Sequence, residues 1–143
     1  MDFSQETMWL FLNLRYTKKV AKHNDIGKQG EEVGAQFLMG QGFTILERNK
    51  HYGKKEIDIL SEKDNVVRIV EVKTVEEGTS VSGEDNFNRD KRRNLRHVLR
   101  LLENDNRYEG KRLQIDFLSV TLNFTKREAH CRLVQNVSED EIG

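Results

Sequence analysis

Residues 54–75 read KKEIDILSEKDNVVRIVEVKTV, and their reading decides what kind of sheet the chain builds. Two runs of strand-forming residues flank a polar turn from Ser61 to Asn65, the pattern of a hairpin. Asp58, Glu71 and Lys73 nevertheless sit among isoleucines and valines, where a core strand carries apolar side chains. A buried carboxylate without a partner is costly, so it pairs, shifts its pKa or binds a metal.

Side chains alternate across a strand. Over 55–62, Glu56, Asp58 and Leu60 share one face, and Ile57 and Ile59 take the other. Over 65–75, Val67, Ile69, Glu71 and Lys73 share a face, with Val70 and Val72 opposite. Glu71 and Lys73 are then same-side neighbours about 6.6 Å apart by strand rise. Antiparallel pairing through the short turn brings Asp58 towards the same strand end, with the register left open. Two carboxylates and a lysine gathered there suit a hard divalent cation, usually Mg²⁺, that keeps several waters and accepts phosphate oxygens. Such an ion lowers the pKa of a bound water and offsets charge on a phosphoryl transition state. A neighbouring ammonium can orient the nucleophile or stabilise that charge.

Working outward, KQGEEVGAQFLMGQG predicts a helix over 28–40, ended by Gly40 and Gly42. Glu31, Ala35 and Leu38 fall at helical spacing, so Glu31 lies on the small and apolar face, while Glu32 points towards Gln36 and Met39. Glu31 is therefore the third acid expected to turn inward. FTILERNKHY (43–52) reads as a strand joined to 55–62 by a glycine-containing turn. The 65–75 strand is expected at the centre of the sheet, since both its faces carry Val or Ile. A polar, glycine- and serine-containing loop over 76–86 precedes a helix in FNRDKRRNLRHVLRLLEND, whose Leu95, Val98, Leu99 and Leu102 form one face. RLQIDFLSVTLNF (112–124) and HCRLVQNVS (130–138) complete the strands.

The expectation is an α/β domain over 27–138, with a mixed sheet of about five strands flanked by helices in the order α-β-β-β-α-β-β. Residues 1–26 read as an accessory N-terminal helix, from Trp9, Leu12 and Tyr16 at helical spacing, followed by the basic patch KKVAKHN. That patch reads equally as a basic arm or a solvated helix end. Residues 139–143 form an acidic tail expected to fray.

Composition narrows the classes. A chain of 143 residues is one domain's worth. Its formal net charge of zero gives no bulk attraction to nucleic acid, so any such signal must be local. One cysteine, Cys131, rules out an intrachain disulfide framework, and four scattered histidines leave no zinc-ligand spacing. The apolar run MWLFLNL is too short for a membrane span and lacks a basic start or a cleavage site. A soluble, reducing, cytoplasmic setting without a membrane partner is expected.

The pattern D-x(12)-E-V-K with an acidic helix upstream resembles the PD-(D/E)xK nuclease superfamily, which implies a restriction-endonuclease-like fold. More narrowly, GKQGEEVGAQFLMGQGFTILERN, KEIDIL and IVEVKT resemble the YraN-like family, which is similar to archaeal Holliday junction resolvases. The likeness spans roughly 27 to 124. It implies Mg²⁺ or Mn²⁺ on Asp58, Glu71 and the Val72 carbonyl, with the helix glutamate at Glu31 and with Lys73 serving the attacking water. It also implies a DNA substrate, branched or structured DNA included, and makes a symmetric homodimer an expectation, because a junction has two equivalent scissile positions. Lys91 falls where the family tends to carry a lysine, and Asn49 and Lys50 belong to the ERNKHY motif. The chain departs from the pattern at Lys55, where a glycine usually precedes Glu-Ile-Asp, and at Val75, where a basic residue often follows.

Each sharp reading has a plainer one beside it. Taken alone, EVK in a valine strand is an exposed face with a weak salt bridge. Lys91, Arg92 and Arg93 suit phosphate contact, or simply form the solvated face opposite the leucines. Asn49 either closes a turn or touches substrate. The readings carried forward are a metal-dependent DNA nuclease and, from a different class, a nucleic-acid-binding module that keeps the fold without catalysis. A protein-interaction scaffold would rest on residues 1–26 alone.

Overall fold

The structure, a computed structural model, describes residues 5–11, 23–78 and 89–137, with side-chain surroundings for 26–78 and 93–137. Its elements are β1 (Gln5–Phe11), α1 (His23–Gly40), β2 (Thr44–Tyr52), β3 (Lys55–Lys63), β4 (Val66–Glu76), α2 (Arg89–Glu103), β5 (Arg112–Asn123) and β6 (Glu128–Val134). They build one mixed sheet in the order β1-β6-β5-β4-β3-β2. From α1 onward the order α-β-β-β-α-β-β is the expected one. Only β4 and β5 run parallel, and α2 lies in the long crossover that a parallel pair requires.

The two helices divide the core. Val33, Ala35, Phe37 and Leu38 of α1 pack on Ile59, Val70, Leu118, Val120 and Leu122. Leu95, Val98 and Leu102 of α2 pack on Leu60, Val67, Ile69 and Ile115. Strands β4 and β5 thus send alternate residues to opposite helices. This is why β4 is apolar on both faces and occupies the interior of the sheet.

Helix α1 approaches the sheet closely because it has no side chain where it crosses β4. A Cβ at Gly30 would lie 1.8 Å from Thr74 Oγ1, and one at Gly34 would lie 2.9 Å from Leu118 Cδ2. The helix ends in a Schellman motif. Gly42 sits at φ +91, its N–H donates to the Met39 carbonyl, and the Phe43 N–H donates to Leu38 at 2.9 Å.

A buried polar cluster ties β4 to β5. Asp116, fully buried, accepts from Arg68 Nη1 at 3.2 Å, Gln114 Nε2 at 2.8 Å and the Asn136 N–H at 2.9 Å. Burial pushes its pKa up, and the three donors and the Arg68 charge oppose that shift. The Arg68 guanidinium also lies 5.0 Å from the centre of the Phe43 ring.

Four expectations are corrected. Gln5–Phe11 is a strand, paired antiparallel with β6 from Gln5↔Val134 to Phe11↔Glu128, and not part of an accessory helix. A short apolar run fits either period, and an available sheet edge decides it. The rest of that expected helix, residues 12–22, lies outside the described residues, as do most of the 76–86 loop and the 139–143 tail. Helix α1 starts at His23, ahead of the expected start at 28 and across the boundary drawn at 26/27. Ile26 packs against the α1 core, which offsets the weak helical preference of Gly27. The β3–β4 turn is only Asp64–Asn65, at φ 54 and 63, the tight primed turn whose twist suits a hairpin, so Ser61 is a buried strand residue. Ile57 and Ile59 do not share a core. Ile57 joins the α2 cluster and Ile59 the α1 cluster, so the alternation breaks at Asp58.

Gly30 and Gly27 lie in the same helix, and only Gly30 touches the sheet; a Cβ at Gly27 would meet nothing within 4 Å. Gly30→Ala should lower unfolding stability by about 1–3 kcal/mol, whereas Gly27→Ala should raise it by about 0.4–1 kcal/mol. Urea unfolding of the two variants checks both signs.

Candidate functional site

The site forms where β3 leaves β4. Their ladder runs from Lys63↔Val66 to Ile59↔Val70 and stops there. Continued, it would pair Ile57 with Val72, but the Val72 N–H donates to Asp58 Oδ2 at 2.9 Å. A carboxylate thus replaces a strand carbonyl as acceptor and props the two strands apart. In an extended strand the N–H and C=O of one residue face the same neighbour. The Val72 carbonyl therefore faces the gap that holds Asp58.

Opposite Asp58 on β2 stands Asn49, between the pairs Arg48↔Ile59 and Lys50↔Ile57. Asn49 adopts the left-handed conformation at φ 49. The kink sends two consecutive side chains to the same helix: Arg48 Nη1 bonds Glu32 Oε2 at 2.7 Å, and Asn49 Nδ2 bonds Glu31 Oε2 at 3.0 Å. Asn49 Nδ2 also reaches Glu56 Oε1 at 3.2 Å, and Glu56 lies 3.3 Å from His51 Nε2. Asn49 accordingly does not close a turn between strands. It holds the helix glutamate over the opening.

The acids at the opening act on one another. Burial, and next the Glu71 carboxylate, push the Asp58 pKa up to about 8. Glu31 adds to that push, while the Val72 N–H and the Lys55 ammonium oppose it. Glu71 is buried, and Lys55 Nζ lies 3.8 Å from its Oε1. Lys73 follows two residues along on the same strand face, half-buried.

Glu31 and Glu71 are thus each within reach of the Asp58 carboxyl's charge. Among the described residues, however, no group of three His, Cys, Asp or Glu is close enough to hold a metal ion. The groups that could hold an ion such as Mg²⁺ or Mn²⁺ here are the two central carboxylates and the Val72 carbonyl. Mg²⁺ ordinarily takes one or two carboxylates and completes its shell with water and phosphate oxygens. The helix carboxylate is held through Oε2 by Asn49.

Of the expected nucleic-acid contacts, Arg93 is exposed on α2. Lys91 and Arg92 belong to the same helix, and their side chains lie outside the described residues. Lys55 was missed as a site residue. Its only sequence signal was its place directly before Glu-Ile-Asp, where the chain departs from the pattern it resembles.

The model of the "Uncharacterised protein family UPF0102" matches residues 30–120, well over half of the chain. The chain belongs to UPF0102, the YraN-like family. It is 34% identical over 103 residues to a UPF0102 protein of Chloroherpeton thalassium, covering 72% of this chain and 80% of that protein. It is 51% identical over 55 residues to the UPF0102 protein FP2501 of Flavobacterium psychrophilum, covering 38% of this chain and 46% of that protein. With a Parabacteroides distasonis UPF0102 protein the identity is 32% over 103 residues, with 72% and 83% covered. The matched UPF0102 region contains Glu31, Asn49, Lys55, Asp58, Glu71 and Lys73, while β1 and β6 lie outside it. Among the described residues, no helix of this UPF0102 protein is long and apolar enough to cross a membrane.

The Asp58 shift has a sign that unfolding can read. A carboxyl that titrates near 8 when folded, against the ordinary 3.8, holds its proton more tightly in the folded state. Folding stability from this group is therefore greatest in acid and declines as pH rises between those two values. In metal-free buffer, wild-type protein should lose stability from mildly acidic to mildly alkaline pH, and Asp58→Asn should flatten that decline. Urea midpoints across the range measure it; an equally steep decline in the variant would assign the shift elsewhere.

Proposed function

We propose that this UPF0102 protein is a divalent-metal-dependent nuclease acting on DNA phosphodiesters, branched or structured DNA included. The observation that supports this most is the Asp58–Glu71 pair. Two carboxylates, one buried and one bonded to a strand amide, stand together where two strands part. Burial beside a like charge is unfavourable for ordinary structure and is the arrangement from which catalytic and metal sites are made.

In this reading Glu31, Asp58, Glu71 and the Val72 carbonyl would hold Mg²⁺ or Mn²⁺. The bound ion would act as a Lewis acid, lowering the pKa of its water and offsetting charge on the phosphoryl group. The Val72 N–H fixes one Asp58 oxygen and leaves the other for the ligand. Lys73 supplies the ammonium that orients the attacking water. Arg93, with Lys91 and Arg92 on the same helix, supplies a sequence-independent grip on the phosphate backbone. A cytoplasmic setting and a symmetric homodimer acting on paired scissile positions belong to the same proposal.

A second reading, a nucleic-acid-binding module without catalysis, draws support from one feature. Glu31 is engaged by Asn49, and among the described residues no three-ligand group is assembled.

The test is incubation of the full chain with Mg²⁺ or Mn²⁺ and linear, flapped and four-way DNA. Cleavage is expected, falling by about 100-fold or more in Asp58→Ala and Lys73→Ala with the fold intact. No cleavage of any substrate, together with salt-dependent binding that survives Asp58→Ala but weakens when Arg92 and Arg93 are neutralised, would favour the binding module.

A further inference from the structure

We propose that Lys55 is a tethered counter-ion of the carboxylate pair, an ammonium that a divalent ion must displace from Glu71 before the site takes metal. The inference rests on the reading of Asp58 and Glu71 as metal ligands, and it concerns how this chain controls access to them.

Two lysines follow one another after Gly53, and they go to different places. Lys54 is exposed. Lys55 turns inward, its side chain only 18% exposed, with Nζ 3.8 Å from Oε1 of a glutamate whose side chain is 7% exposed. Burying a lysine stem and head costs solvation and side-chain freedom, and here the return is electrostatic. The same ammonium acts on Asp58 as well, opposing the unfavourable effect of Glu71 on that carboxyl. One ammonium therefore sits against Glu71 and also acts, more weakly, on Asp58. This is the charge a bound cation would otherwise supply.

Its position in the chain lets it leave. Lys55 is the first residue of β3 and pairs with Tyr52 across the closing turn of the β2–β3 hairpin, beside Gly53 at φ +64. From a strand end next to an exposed turn, a four-carbon stem can carry the ammonium out to water. A divalent ion on Glu71 would face that ammonium at close range in a half-buried setting, where like charges oppose each other strongly. Lysine and metal therefore exclude one another. The metal-free protein gains a paired Glu71, and in exchange its metal affinity is lower than the carboxylates alone would give.

The test compares wild type with Lys55→Met by calorimetric titration of Mn²⁺ and by thermal unfolding without metal. The variant should bind Mn²⁺ about tenfold more tightly, equivalent to about 1.4 kcal/mol, and should melt lower than wild type when metal-free. In wild type, an amine-acylating reagent read by mass spectrometry should modify Lys55 slowly without metal and several-fold faster at saturating Mn²⁺, with Lys54 unchanged. That measurement decides the matter alone if Lys55→Met does not fold. Equal or weaker Mn²⁺ binding by the variant, or acylation of Lys55 that does not rise with Mn²⁺, overturns the counter-ion role and leaves the metal site standing. Mn²⁺ binding to neither protein overturns both.

Discussion

At the point where β3 and β4 separate, the Val72 amide needs an acceptor, and the Asp58 carboxylate provides it. Had a strand carbonyl done so, the ladder would have continued and the gap beside Glu71 would have closed. A carboxylate carries a negative charge into the sheet, so the bond that opens the strands also creates an electrostatic demand. Most features around the opening answer that demand. Lys55 brings a cation to Glu71, Asn49 occupies the helix glutamate, and burial shifts the Asp58 proton equilibrium towards the neutral acid.

The scaffold holds this unfavourable group of charges because its frame is braced elsewhere. Strands β4 and β5 are packed on both faces by helices, and Asp116 accepts from Arg68 across the pair. Small residues on α1 allow the helix to cross β4 at near-backbone distance, which sets Glu31 at the end of that strand. Splitting β3 from β4 costs only the last rungs of a hairpin whose other end is closed by a tight primed turn.

How much of this could be read from the residues depended on the range of the interaction. Alternation and helical spacing identified β2 to β6, both helices and the central place of β4, because each is set by neighbours two to four positions away. The N-terminal segment failed for the same reason: Trp9, Leu12 and Tyr16 satisfy a helical spacing, but Gln5–Phe11 is claimed by the distant edge of β6. Ile57 and Ile59 were placed on one face by a period that the strand abandons at Asp58. Lys55 was legible as a departure from the motif and Asn49 as part of it, but their partners, Glu71 and Glu31, are sixteen and eighteen residues away along the chain.

The amino-acid order by itself determined the class of fold, the order of its elements from α1 onward and the UPF0102 motifs. These follow from periodicity and residue chemistry, which are local. Only the tertiary structure decided where the hairpin ladder ends, which atom Asp58 holds, and which cation answers the buried charge. Those outcomes depend on register and solvent exclusion, and neither exists until strands and helices that are remote in the chain have packed together.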